Sequence, residues 1–168
     1  NNNTITQIEG MMGLISISFE TDYKKQIVTH KVNLIQKKYA SLLDARDINR
    51  FNTSYKVKDV QLMKETKTIA GKKCMKAEVT LENGEKVIVF YTDEIAVENP
   101  NWSNPYKAIN GVLMEFQIER YGILTKFVAK RVTQEPIDDK EFAAPLDEYK
   151  IIPVEELDNM LNDLNPTK

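Results

Sequence analysis

At 168 residues with 42% apolar content, the chain has the size of one domain and enough apolar side chains for a continuous core. Lys and Arg number 23 against 25 Asp and Glu, a net charge of -2. No basic run exceeds a pair such as Lys24-Lys25 or Lys72-Lys73, which argues against a phosphate-tracking stripe and against nucleic acid as a partner. A single cysteine excludes an intramolecular disulfide, and no run of about 18 apolar residues exists to cross a bilayer as a helix.

Residues 13 to 19 set Leu14, Ser16 and Ser18 against Ile15, Ile17 and Phe19, the period-2 pattern of a strand with one apolar face. Residues 26 to 35 continue it with Val28, His30, Val32 and Leu34 on one side. Asp22 to Lys25 then reads as the turn of a hairpin. Tyr39 to Asp44 reads as a strand, and Arg46 to Asn49 as a polar turn. Phe51, Thr53, Tyr55 and Val57 alternate with polar residues like another strand, and Val60 to Lys64 reads as a linker or short helix.

The most explicit segment runs from Thr66 to Ile95. Asn83-Gly84 is a tight-turn dipeptide between two alternating runs. A two-residue loop there places Ala77 opposite Phe90, Val79 opposite Ile88 and Leu81 opposite Lys86. Met75, Ala77, Val79, Ile88 and Phe90 are then expected on one buried face. Glu98 to Lys107 holds two prolines and the only tryptophan, and reads as a loop. Val112, Met114, Phe116 and Ile118 then alternate with polar or larger neighbours, and Tyr121-Gly122 turns that strand into a second hairpin. After an irregular acidic stretch from Pro136 to Pro145, Val154, Leu157, Leu161 and Leu164 recur at helical spacing. Pro153 and Glu155-Glu156 suit the first turn of that helix.

These elements predict an α+β fold in one domain spanning 1–168. A curved antiparallel sheet of seven or eight strands would occupy about 13–134, covered on one face by loops and the C-terminal helix within 135–168.

No catalytic constellation emerges. Cys74 lacks a local base, and the only histidine, His30, sits within a strand, so both read as packed residues rather than a nucleophilic pair. Asp44, Asp47 and Asn49 miss the spacing, the glycine and the terminal glutamate of a calcium loop. Asp138, Asp139 and Glu141 read as solvated loop acids rather than a glycosidic pair. No glycine-rich phosphate loop or Gly-x-Ser-x-Gly elbow is present, and neither a metal nor a cofactor is expected. The apolar stripe Val112, Met114, Phe116 and Ile118 suits either a core or the wall of a cavity, with Trp102 and Tyr106 as rim or partner-contact residues.

Ile69-Ala70-Gly71-Lys72-Lys73-Cys74-Met75-Lys76-Ala77, then Tyr91-Thr92-Asp93-Glu94-Ile95, then Tyr106 through Phe116, resemble a family of uncharacterised Bacteroidota envelope proteins similar to the GLPGLI family. This chain differs at Lys73, where the family has an aromatic, and at Ala108, Asn110 and Val112 within the motif. The resemblance implies the half-barrel of the periplasmic lipoprotein carriers and an address in the periplasm or at the outer membrane, with a leader removed upstream of residue 1. It also implies an apolar ligand, a lipid or lipoprotein acyl chain, held between sheet and helix by a non-catalytic protein. The alternative is an envelope protein-protein interaction module without a small-molecule ligand.

Overall fold

The computed structural model describes the chain apart from residues 1, 11–13, 134, 136–137, 139–141, 143–145 and 164–168. The fold is α+β, but the strands do not form one half-barrel. Among the described residues they make two open five-stranded sheets, and the chain divides into two compact units, Asn1–Arg50 with Pro136–Lys168 and Phe51–Glu135.

In the first unit β1 (Thr4–Gly10), β2 (Ile15–Asp22), β3 (Ile27–Leu34) and β4 (Lys37–Leu43) form an antiparallel meander, and the two-residue β10 (Lys150–Ile151) adds to β4 in parallel. The β2–β3 hairpin forms with the predicted faces: Ile17 lies opposite Val32, Phe19 opposite His30, and Ser18 opposite Lys31. Lys25 N–H donates to Asp22 Oδ1 at 3.0 Å in the connecting turn, the local bond that makes aspartate a turn former. The alternation leaves Val28, His30, Val32 and Leu43 buried on one face.

Residues 45 to 51, expected as a polar turn running into a strand, are a helix, α1 (Ala45–Phe51). Asp44 caps it, its Oδ1 accepting from Arg46 N–H (2.8 Å) and Asp47 N–H (3.0 Å). Asp44 is one of the residues weighed for calcium, and this capping role accounts for it.

The C-terminal helix, α2 (Val154–Asp163), stands where the periodicity placed it, with Val154, Leu157 and Leu161 buried; Leu164 lies outside the described residues. It packs beside β4, where Ser41 Oγ donates to Ile152 O at 2.7 Å and Ile152 N–H to Ala40 O at 3.0 Å.

The second unit orders β5 (Val57–Ile69), β6 (Lys72–Leu81), β7 (Lys86–Thr92), β8 (Val112–Arg120) and β9 (Ile123–Val128) in sequence. The segment expected as a linker around Val60 is part of the 13-residue β5.

The central hairpin forms, but its register differs by one. Gly84 N–H donates to Leu81 O (2.9 Å) and Leu81 N–H to Glu85 O (2.8 Å), so the loop has three residues, Glu82-Asn83-Gly84. Only Gly84 takes positive φ, at +85°, the geometry of a turn closed by a bulge glycine. Asn83 instead accepts Glu85 N–H on its side chain at 2.9 Å. Val79 therefore faces Val87 and Ala77 faces Val89, which turns β7 over. The buried face is Ala77, Val79, Val87, Val89 and Tyr91, while Ile88 is exposed.

A second irregularity divides the apolar stripe. Phe90 faces Glu115 but Tyr91 faces Leu113, so Met114 is the extra residue of a bulge. Val112 and Met114 pack with Ile69, Cys74 and Phe90, whereas Phe116 and Ile118 pack in the larger core with Tyr55, Tyr106 and Ile109.

Candidate functional site

The residues singled out for an apolar cavity lie in the second unit and do not converge. Tyr106 is fully buried, with its ring 6.0 Å from that of Phe116 and its hydroxyl donating to Gln117 O. That environment pushes its phenol well above the usual range, chiefly through burial. Met114 is buried, Val112, Phe116 and Ile118 are half-buried, and the bulge puts them in two clusters. Trp102 is half-buried in a loop pinned by Asn101, whose amide donates to Ile109 O (2.7 Å) and Gly111 O (2.9 Å).

The groups weighed for catalysis fare no better. Burial pushes the Cys74 thiol upward, away from thiolate character. His30 is buried and stacked on Phe19, with ring centroids 4.4 Å apart. Asp138 is exposed, and Asp139 and Glu141 lie outside the described residues. Among the described residues no group of three His, Cys, Asp or Glu side chains is placed to hold a metal ion. None of their helices is long and apolar enough to cross a membrane.

A different site stands out in the first unit. The sheet face opposite His30 carries Ser16, Ser18 and Glu20 from β2, Lys31 and Asn33 from β3 and Gln7 from β1. These residues line a cleft of about 300 Å³ bordered by Glu148 and Tyr149. The alternation that buries Val28, His30 and Val32 necessarily turns these side chains the other way.

Lys31 forms the floor. Its ammonium lies 2.7 Å from each carboxylate oxygen of Glu20, and the two side chains are only 4% and 16% exposed. The Tyr149 ring centroid is 5.4 Å from Lys31 Nζ and 5.9 Å from Lys38 Nζ, within cation-π range of both. Lys38, opposite Asn33 in the register, also pairs with Glu148. That pairing lowers the Glu148 carboxyl and raises the Lys38 ammonium relative to their ordinary values. Asn33 Nδ2 donates to Ser16 Oγ at 3.0 Å, while its buried Oδ1 has no partner among the described residues.

Chemically the cleft combines neutral amides and hydroxyls with paired ions. Ser18 stands opposite Lys31, whose Nζ donates to Glu20. The cleft's neutral amides and hydroxyls, beside ions already paired, are groups of the kind that orient a ligand.

Sequence reasoning passed over these residues because a polar alternate face ordinarily faces water. The one available signal was Lys31, the single charged side chain between Ile27 and Leu34.

No protein-family model matches the sequence, and no curated protein matches it. A solved structure of PNGF-II in a C2 space group is similar over 96% of this chain, at 15% identity and a TM-score of 0.48, and the chain spans 30% of that structure's chain.

Proposed function

We propose that this chain is a non-catalytic binding module whose ligand occupies the polar cleft on the β1–β3 face of the first unit. One observation supports this above others: an ion pair, Lys31 with Glu20, is withdrawn from solvent on a face that the core does not need. A plain solvent face keeps its charges hydrated, because desolvating an ion pair costs more than a surface pair returns. A floor of this kind is what a site shaped to hold a polar partner needs. The cell-envelope address implied by the motif resemblance belongs to the same proposal.

Native mass spectrometry of the protein released gently from its own cells tests it. The expected result is a stoichiometric polar adduct that a folded Ser18→Leu variant lacks. A retained lipid, indifferent to Ser18→Leu, would instead return the proposal to an apolar cargo beside Met114 and Phe116.

A second reading, a protein-interaction module, is favoured by β9, an edge strand with Ile123, Leu124 and Val128 exposed. Open edges bearing apolar side chains template strand addition by a partner. Loss of a specific partner in Leu124→Lys, with the adduct of the first experiment unchanged, would establish that mode separately.

A further inference from the structure

We infer that the ligand of this cleft is an uncharged polyhydroxyl ring, that is, a neutral saccharide; the inference rests on the cleft being the ligand site. Charge comes first. The lining holds one cation and two anions, and with Lys38 beside it each cation has its own carboxylate: Lys31 with Glu20, and Lys38 with Glu148; Glu9, opposite Ser16 but outside the lining, accepts from Gln7 Nε2. A phosphate, sulfate or carboxylate ligand would have to take Lys31 from a partner that already meets it with both oxygens. An ammonium ligand would have to take Glu20 in the same way.

What the cleft offers freely is neutral and two-sided. The Asn33 amide bonds Ser16 at one end only, and because a hydroxyl both donates and accepts, one buried end is left unsatisfied whichever way the amide is turned. The Ser18 hydroxyl makes no hydrogen bond to another described residue, and Ser16 still has a hydrogen to donate after accepting from Asn33. The Gln7 amide nitrogen donates to Glu9 at 2.8 Å, which leaves its oxygen as an acceptor. Groups that both donate and accept match sugar hydroxyls, which do the same.

Their spacing suits a ring. Ser18 neighbours Gln7 on one adjacent strand and Lys31 on the other, about 5 Å away each, and Ser16 lies about 7 Å along the same strand. Hydroxyls along a ring edge meet such a grid, and the half-buried Tyr149 ring offers apolar surface to C–H groups at the border. The volume, about 300 Å³, is at the small end for ligand sites. A peptide strand is the weaker match, because it binds through main-chain hydrogen bonds at a sheet edge. Here β2 and β3 are interior, already paired on both sides.

The test is binding of the full chain to a panel of neutral oligosaccharides, their sulfated and uronic counterparts, and unglycosylated peptides. Each sugar is presented both free and as a glycopeptide, so that a free saccharide and a protein-borne glycan are told apart. The expected result is a neutral saccharide bound with little salt dependence, its affinity falling roughly tenfold in Asn33→Leu and in Ser18→Val. Both variants are checked for folding by circular dichroism and thermal melting. Binding confined to charged sugars and weakened by salt overturns the neutral class while leaving the cleft as the site, as does a peptide displaced by the same two variants. A neutral sugar whose binding ignores both folded variants overturns the location as well. A panel without any binder overturns the saccharide inference, and the mass measurement above then decides whether the cleft holds another polar ligand.

Discussion

Lys31 Nζ lies 2.7 Å from both carboxylate oxygens of Glu20, across two neighbouring strands and almost out of contact with solvent. Residues 20 and 31 are not direct cross-strand partners; Lys31 faces Ser18 and Glu20 faces Thr29, so the pair is a diagonal one. Its removal is asymmetric. Lys31→Met alone strands a carboxylate and Glu20→Leu alone strands an ammonium, each expected to cost about 3 kcal/mol, while the double variant recovers more than half of the summed loss. A double-mutant cycle by chemical denaturation reads this directly; strictly additive losses would show that the two groups act independently.

Glu115 in the second unit carries a pH signature. Lys126 and Lys67, both at 2.7 Å, hold its carboxyl below the ordinary value of 4.5. The folded state therefore resists protonation more than the unfolded chain does. The stabilisation is fully present above about pH 4.5 and is lost as pH falls through the lower folded value. Both lysines are more than half exposed, so Glu115→Gln is expected to cost only about 1 kcal/mol at neutral pH. Thermal melts from about pH 7 to 3 should show wild type and variant converging in acid; parallel curves would contradict the assignment.

Gly111 is sterically required. A Cβ there would sit 2.6 Å from Tyr91 Cδ2 and 2.9 Å from the backbone oxygen of Thr92, and that oxygen belongs to a strand that cannot give way cheaply. Gly111→Ala is expected to lose about 2 kcal/mol, read by denaturation, with Asn101's two hydrogen bonds to this loop disturbed at the same time. A variant as stable as wild type would mean that the loop shifts freely.

Ile35 works in the opposite direction. This β-branched residue has φ +52° at the β3–β4 turn and is 78% exposed, so it pays for left-handed backbone without compensating burial. Ile35→Asn should raise stability by about 1 kcal/mol and the melting temperature by a few degrees. A lowered melting temperature would show that the side chain packs against something.

Much of the fold was legible in the sequence where a period ran unbroken: Ile15 to Phe19 against Val28 to Leu34, and Val154 to Leu161 in α2. Two single-residue events were not. A three-residue loop at Glu82-Asn83-Gly84 carries the same Asn-Gly as a two-residue one, yet inverts β7. The bulge at Met114 inverts β8 and breaks a stripe that looks continuous on paper. The helix at Ala45–Phe51 was hidden because a short polar segment capped by Asp44 has the composition of a turn. The cleft was hidden for a deeper reason. Serine and asparagine on alternate positions announce water, and only the pairing of β1, β2 and β3 with Tyr149 alongside makes that face concave.

Nuclear magnetic resonance on the isotopically labelled full chain shows whether ligands occupy the polar face of β1–β3. The chain is titrated in turn with hydroxylated and with apolar fragments. Hydroxylated fragments are expected to shift the backbone amides of Ser16, Ser18, Lys31 and Asn33 together with the Asn33 side-chain amide. Shifts produced by apolar fragments alone and gathered at Val112, Met114 and Phe116 would contradict a ligand site on that face.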